Sequence, residues 1–249
     1  MKCLILAAGY ATRLYPLTEN FPKPLLKVGE KTILDWLIDD IETTGEVDEY
    51  VVISNGKFAH HFDAWAAEKR EKITVLNDGT MTNETRLGAV IDIKFAIEAL
   101  NITDDVLIIA GDNLLDFSLS GFIAYAKARA ASSVLRYFEP DTKRLLKSGV
   151  VTVDENDRII KMTEKSPTPE TNWCTPPFYY YTREDAARID DAIADGCGTD
   201  APGSYVAWLA QHSKVYAMEM RGKRYDIGNL ESYEQVKRDY QGITVADSE

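Results

Sequence analysis

The sequence is poor in cysteine, in positive charge and in long apolar runs, and each shortage closes off a class of function. The three cysteines, Cys3, Cys174 and Cys197, are odd in number and lack CxxC or CxxH spacing. They specify neither a disulfide framework nor a zinc site, and three reduced, mostly buried thiols are expected. Lysine and arginine number 28 against 40 aspartates and glutamates, a formal net charge of -12 over 249 residues. A chain of that sign lacks the positive field that draws nucleic acid or an anionic membrane, so neither is expected as a partner. No stretch approaches the apolar length of a membrane span. The opening run stops at Gly9, too short for a signal-peptide core and without a cleavage pattern, so a cytoplasmic protein is expected. No GxGxxG opens a helix after the first strand, and no Gly-Lys-Ser/Thr follows the glycine of the first loop. A dehydrogenase and a P-loop ATPase are disfavoured accordingly. His60 and His61 are adjacent, and neighbours in a helix or strand do not face one metal, so they read as surface.

What is present is an alternation of buried strands and helices. Cys3 to Ala8 is a continuous apolar run closed by Gly9, the mark of a strand buried on both faces of a parallel sheet. Helical spacing follows over Ile33 to Thr44, a strand over Glu49 to Ser54, a helix over Phe62 to Lys72 and a short strand over Ile73 to Leu76. Leu87 to Leu100 has helical periodicity, and Asp105 to Ala110 is another buried strand, closed by Gly111-Asp112-Asn113. This order predicts an α/β fold with a Rossmann-like, doubly wound mixed sheet, in which ligands bind beyond the strand C-termini. From about Ser132 the texture turns to short alternating strands. Gly149 to Val153 and Arg158 to Met162 form an expected hairpin, and Phe178 to Tyr181 a further strand. A helix is expected around Arg183 to Ala194, a late strand over Val215 to Glu219, a turn at Tyr225-Asp226-Ile227-Gly228 and a closing helix over Leu230 to Tyr240. Trp208, with Val206 and Leu209, reads as helix packing, and the last few residues are expected to fray. The chain reads as one domain over 1–249, with a core at 1–131 and a small β-rich extension with the closing helix at 132–249.

Chemistry concentrates first in Leu6-Ala7-Ala8-Gly9-Tyr10-Ala11-Thr12-Arg13-Leu14, followed by Thr18 and Pro22-Lys23-Pro24. Small residues after a buried strand let backbone N–H groups approach phosphate oxygens. Arg13 supplies a planar, permanently charged fork, and Lys23 a point charge on a chain stiffened by two prolines. The same residues would also suit a solvated loop with incidental cations.

The stretch resembles the signature of the sugar-1-phosphate nucleotidylyltransferases, Leu-Ala-Ala/Gly-Gly-x-Gly-Thr-Arg-Leu-x-Pro-x-Thr and then Pro-Lys-Pro/Gln. Ala11 stands where the second glycine is expected, and alanine gives up easy access to positive φ. Gly111-Asp112-Asn113, Gly149-Val150-Val151, Glu164-Lys165 and Tyr225-Asp226-Ile227-Gly228 resemble further segments of that family in the same order. The resemblance implies transfer of a nucleoside monophosphate from a nucleoside triphosphate to a phosphorylated small molecule, with Arg13, Lys23 and Asp112 catalytic. It implies that Leu6, Ala7, Ala8, Gly9 and Gly111 line the nucleotide site, and places Asn77 and Gly88 near the base. It also implies Mg²⁺ held by Asp112 and Asp226, since carboxylates are the hard ligands this ion prefers. Gly149, Glu164, Lys165 and Tyr179 would bind the acceptor, so residues 1–131 become the nucleotide-binding core and 132–249 the acceptor-binding part. A homo-oligomer is compatible with this reading.

The departures leave the substrates open. Thr175-Pro176-Pro177-Phe178-Tyr179 stands where Thr-Gly-hydrophobic-Tyr is usual, and Asn77-Asp78-Gly79 and Arg86-Leu87-Gly88-Ala89 occupy the base-recognition region. Phosphocholine cytidylyltransferases share the N-terminal signature and an Asn-Asp at this point, and Tyr179 and Trp173 could offer faces to a quaternary cation. A catalytically silent nucleotide-sensing module on the same fold is the third reading.

Overall fold

The computed structural model describes residues 1–245 in two compact units. Unit 1 gathers Met1–Arg86, Ala110–Gly121 and the chain from Arg221 onward; unit 2 gathers Leu87–Ile109 and Phe122–Met220. The chain therefore passes between them repeatedly, and the helix Leu230–Asp239 belongs with the N-terminal residues. The expected fraying of the last few residues lies largely outside the described range.

In unit 1 the strands Lys2–Leu6, Glu49–Ser54 and Ile73–Asn77 pair in parallel, with Leu4 opposite Val51 and Val52 opposite Val75. Cys3, Leu4, Ile5 and Val51 to Ile53 are fully buried, which is why these runs are apolar without alternation. The helix Ile33–Glu42 connects the first two strands and turns Ile33, Leu34, Leu37, Ile38 and Ile41 inward. A capping box starts it: Asp35 N–H donates to Thr32 Oγ1 at 3.0 Å, and Thr32 N–H to Asp35 Oδ2 at 2.9 Å. The second connecting helix is Ala59–Ala66, beginning and ending earlier than expected. Asn55 causes the early start, accepting from Phe58 N–H and folding the chain into the helix directly after the strand. Glu49 ties the strand beginnings together by accepting from Lys2, Lys72 and Thr74. Burial works to raise its carboxyl, but these partners win and hold it down at about 2.

Unit 2 is a mixed sheet. Ser132–Phe138 pairs in parallel with Val215–Glu219 and antiparallel with Phe178–Tyr181 and Trp173–Thr175. Phe178–Tyr181 also pairs with Val106–Ala110, Phe178 lying opposite Ile109. The expected hairpin is present as Gly149–Val153 against Ile159–Glu164, and Gly203–His212 packs against its second strand. Trp208 lies on that helix and is buried, as its spacing suggested. The periodic segment after Leu87 is helical over Ala89–Ala99.

Two expectations change. The helix around Arg183 to Ala194 is two short helices, Arg183–Ala186 and Ile189–Ala194; Arg188, between them, has left the helical conformation. The segment read as a turn at Tyr225 begins as a strand instead. Arg224–Asp226 pairs antiparallel with Asn113–Leu115, placing Asp226 opposite Asn113. Backbone pairing to a distant segment overrides the local turn signal.

Candidate functional site

The expected site residues fall into two groups, one in each unit. In unit 1 the ends of three parallel strands are laced together. Ala7 N–H donates to Ile53 O at 2.9 Å, Asn55 Nδ2 to Ala8 O at 2.9 Å, and Asp78 N–H to Ser54 O at 2.8 Å. Asp78 Oδ1 accepts from the N–H and the hydroxyl of Thr80, and Thr80 Oγ1 lies 3.4 Å from the Tyr10 hydroxyl. The Ala8–Tyr10 loop is thus braced by side chains from two other strand ends. Gly9 is exposed, and a Cβ there would meet nothing within 4 Å, so the backbone is open to an approaching group. Asn77 is exposed at its strand end with Oδ1 accepting from Gly79 N–H at 2.8 Å.

Ala11 takes the left-handed conformation, φ 46° and ψ 41°, that a glycine adopts freely. Two hydrogen bonds hold it there, Thr18 Oγ1 and Leu14 N–H both donating to Ala11 O, at 2.8 and 2.9 Å. The loop therefore follows a glycine path with an alanine in place. Ala11→Gly is expected to raise stability by roughly 0.5–1 kcal/mol, relief of the Cβ clash outweighing the freedom glycine adds to the unfolded chain. Urea unfolding of the two proteins checks this, and an unchanged or lower midpoint would contradict it.

Immediately after Ala11, Thr12–Leu14 forms a 3₁₀ turn that leaves Arg13 exposed, with no hydrogen-bond or ion-pair partner among the described residues. Lys23 is the opposite case. It opens a second 3₁₀ turn between Pro22 and Pro24, its side chain is only 6% exposed, and Nζ donates to Asp112 Oδ2 at 2.7 Å. Gly111 lets that turn pack closely, because a Cβ there would lie 3.0 Å from Ile5 Cγ2 and Leu34 Cδ2 and 3.4 Å from Pro24 Cβ. Its N–H donates to Leu6 O at 3.0 Å, which joins the Gly111-Asp112-Asn113 segment to the first strand.

Asp112 is held on both oxygens. Oδ2 accepts from Lys23, and Oδ1 from Asn113 Nδ2 at 2.6 Å. Asn113 is 2% exposed, and its own Oδ1 accepts from Arg224 Nη1 at 2.6 Å. Burial pushes the Asp112 carboxyl up, but the Lys23 ammonium more than offsets this, helped by Arg224, and it stays below its ordinary value. Asp226 is exposed, sits across the strand pair from Asn113, and has no ion-pair or hydrogen-bond partner among the described residues. Asn113 and Arg224 were missed from sequence as supports. Asn113 stood beside a candidate but carries no charge, and nothing local to Arg224 marks its reach.

No group of three His, Cys, Asp or Glu able to hold a metal occurs among the described residues. Asp112 and Asp226 are hard oxygen donors, the type that holds a divalent cation whose remaining ligands are phosphate and water.

The second group lies in unit 2. Glu164 ends the strand Ile159–Glu164, and Lys165 follows with φ 50°. A Cβ on Gly149 would lie 2.7 Å from both Glu164 Oε2 and Thr175 Oγ1, and a Cβ on Gly203 would overlap Glu164 Oε2 outright. Two glycines thus make room for one carboxylate. Burial pushes the Glu164 carboxyl up to about 7, Lys165 opposing and Asp200 adding to the rise. Lys165 Nζ itself lies 3.4 Å from Asp200 Oδ2. Thr175 Oγ1 is buried without a hydrogen-bond partner. Asp200 and Gly203 were not singled out from sequence, since only the packing of the chain at Gly203–His212 on this strand brings them to Glu164, whereas Thr175 arrives by pairing opposite Gly149. Gly88 also belongs to unit 2, with φ 95°, at the start of Ala89–Ala99; a Cβ there would lie 2.5 Å from Thr199 O. Tyr179 is 2% exposed within its strand, its ring parallel to Tyr181 at 6.0 Å. The Trp173 ring carries the Arg136 guanidinium 4.9 Å from its centroid and the edge of Phe138 at 5.7 Å. The adjacent His60 and His61 lie on the helix Ala59–Ala66, where His61 Nε2 meets Asn20 O at 2.9 Å.

A family model described as nucleotidyl transferase matches residues 2–242. The chain is 28% identical over 228 residues to the bifunctional protein GlmU of Methanocaldococcus jannaschii, covering 92% of this chain and 51% of that protein. It is 26% identical over 193 residues to a putative mannose-1-phosphate guanyltransferase of Sulfolobus acidocaldarius, covering 76% and 51%. The chain spans about half the length of these curated relatives. A solved UDP-glucose pyrophosphorylase, complexed with UDP-glucose, shares the fold with a TM-score of 0.82 at 19% identity, covering 95% of this chain and 97% of that one. None of the described helices is long and apolar enough to cross a membrane.

Proposed function

We propose, from the premise that this chain belongs to the nucleotidyl transferase family, that it transfers a nucleoside monophosphate from a nucleoside triphosphate to a sugar 1-phosphate. The observation that carries this reading is the Asp112 corner of unit 1. There a buried lysine pairs with a braced carboxylate, and a strand pair between distant segments sets Asp226, which has no partner among the described residues, opposite Asn113.

In the proposed reaction an oxygen of the acceptor phosphate forms a bond to the α-phosphorus. The bond from that phosphorus to the bridging oxygen breaks, and pyrophosphate leaves with the electron pair. A phosphate oxygen is ionised at neutral pH, so no protein nucleophile or general base is required. The loop Leu6–Gly9 presents backbone to the nucleotide, with Asn77, Gly88 and Gly111 as its further contacts. Arg13, exposed and without a partner among the described residues, meets the triphosphate, and Lys23 steadies the reacting phosphates. Asp112 and Asp226 would hold Mg²⁺, which supplies charge neutralisation on the triphosphate and the leaving group. Gly149, Glu164 and Lys165 take the acceptor in unit 2, and Tyr179, expected beside them, is buried between the strands Val106–Ala110 and Ser132–Phe138.

The aromatic residues weigh against phosphocholine. A quaternary cation needs open aromatic faces, whereas Tyr179 is buried and Trp173 already carries Arg136. The glycine-walled carboxylate of Glu164 suits a hydroxylated acceptor instead. The names of the relatives, which mention mannose 1-phosphate and UDP-glucose, agree with that choice. The test is pyrophosphate release from each of the four ribonucleoside triphosphates and dTTP against a panel of sugar 1-phosphates and phosphocholine. Release is expected with at least one sugar 1-phosphate and none with phosphocholine. Calorimetric triphosphate binding with no turnover for any pair would replace this reading with a silent sensing module.

A further inference from the structure

We infer that Lys23 has a second role: it closes Asp112 to a divalent cation until a triphosphate draws its ammonium away. The inference rests on the reading of Asp112 as a metal ligand, and it concerns the order of events at that ligand.

The geometry leaves one way to open the carboxylate. Asp112 Oδ1 is taken by Asn113 Nδ2 at 2.6 Å. Asn113 cannot release it by turning its amide over, because that would aim NH₂ at the Arg224 guanidinium, which now donates to Asn113 Oδ1 at 2.6 Å. Asn113 is also 2% exposed, so its amide has no water to turn toward. Oδ2 is taken by Lys23 at 2.7 Å. The lysine can change partner, since an ammonium on a four-carbon stem can swing about a fixed backbone. The turn from Lys23 to Leu25 supplies that fixed backbone.

The energetics give the exchange a direction. The Lys23 side chain is 6% exposed, whereas that of Asp112 is 40% exposed. A cation arriving alone from solvent can reach the carboxylate, but it must sit beside a buried ammonium with no other acidic side chain within ion-pair distance among the described residues. Like charges repel strongly where water is scarce, and an unpaired buried cation is costly. A triphosphate removes both obstacles. Its oxygens give Lys23 a new anionic partner, and they supply the ligands that two carboxylates lack. Asp226, free across the strand pair, is then available without competition. Metal and nucleotide should enter together, metal alone hardly at all. In an acidic protein, such a latch keeps the carboxylates from holding stray cations between turnovers.

The test uses Mn²⁺ as the probe, followed by the loss of its free-ion electron paramagnetic resonance signal. The full chain and the variants Lys23→Met, Lys23→Gln and Lys23→Met/Asp112→Asn are compared, with Asp112→Asn as the blank for adventitious sites on the acidic surface. Without nucleotide, Lys23→Met and Lys23→Gln are expected to bind Mn²⁺ at least tenfold more tightly than the unmodified chain. The double variant should lose that gain. With α,β-methylene nucleoside triphosphates, tested one base at a time, the unmodified chain should bind Mn²⁺ above the blank. Turnover of both Lys23 variants should fall, so affinity for the metal alone and activity move in opposite directions. A merely structural lysine would lower both. Equal Mn²⁺ affinity in the unmodified chain and both Lys23 variants would overturn the proposal. So would a gain that survives in the double variant, because Asp112 would then not be the ligand released. The Mn²⁺ affinities and the double variant need no turnover, so absence of transferase activity in the unmodified chain would count against the proposed function alone.

Discussion

Asp112→Asn is expected to lower pyrophosphate release roughly a thousandfold, the scale seen when a charge-stabilising group is removed from a transferring centre. The substitution keeps the shape of the side chain. The amide oxygen can accept from Lys23 or from Asn113 Nδ2 but not from both, because its NH₂ then faces the other donor; the strand pair that positions residue 113 is untouched. What disappears is the negative charge that makes Asp112 a hard ligand and balances a lysine that is 6% exposed. Part of that second loss is structural. Leaving the ammonium without its counter-charge is expected to cost about 1–2 kcal/mol, less than for a fully buried pair because Asp112 is 40% exposed. Circular dichroism and thermal unfolding therefore accompany the kinetics, and the expected result is a folded protein with a modestly lower midpoint. Full turnover in Asp112→Asn would remove the metal assignment altogether. Activity lost only in proportion to folded protein would reduce Asp112 to a scaffold residue.

Glu164→Gln is the second large effect, with opposite consequences for binding and stability. With its carboxyl at about 7, the Glu164 side chain is about half ionised at neutral pH. The ionised form accepts hydrogen bonds on both oxygens, so acceptor KM should fall as pH rises from 6 to 8. Glu164→Gln should flatten that profile and raise KM roughly 10- to 100-fold, the range for a hydrogen bond to a charged group. Stability moves the other way. The folded value lies above the unfolded one, so the folded chain binds this proton more tightly. The resulting contribution is complete below the unfolded value, roughly 4.3, and is lost as pH rises through about 7. At pH 8 the native protein thus carries an ionised, poorly solvated carboxylate between Gly149 and Gly203. Glu164→Gln should be more stable there by about 2 kcal/mol, and no more stable at pH 4, below the unfolded value. Urea unfolding at the two pH values decides it: equal destabilisation at both would mean that the side chain is held by contacts and not by its charge.

Much of unit 1 was legible in the sequence because its signals are local. A run such as Cys3 to Ala8 is apolar because both faces of a parallel strand are covered, and the loop after Gly9 follows from where that strand must end. Ala11 was legible as the departure from the glycine pattern, but that it takes the left-handed conformation all the same was not. Glu164 could be nominated from sequence, but its raised carboxyl could not. That depends on Gly149, Asp200 and Gly203, which the chain separates and packing brings together.

The sequence by itself determined the α/β alternation and the residues of the strand-end loop. Each of these depends on residue type and spacing within a few turns of chain. Only the tertiary structure decided that Asp226 lies on a strand facing Asn113 and that Arg224 locks the Asn113 amide. It also decided that Lys23 is buried against Asp112. Those facts follow from pairing between segments far apart in the chain, where the hydrogen-bonding demand of buried backbone and the cost of an unpaired charge outweigh local turn preference.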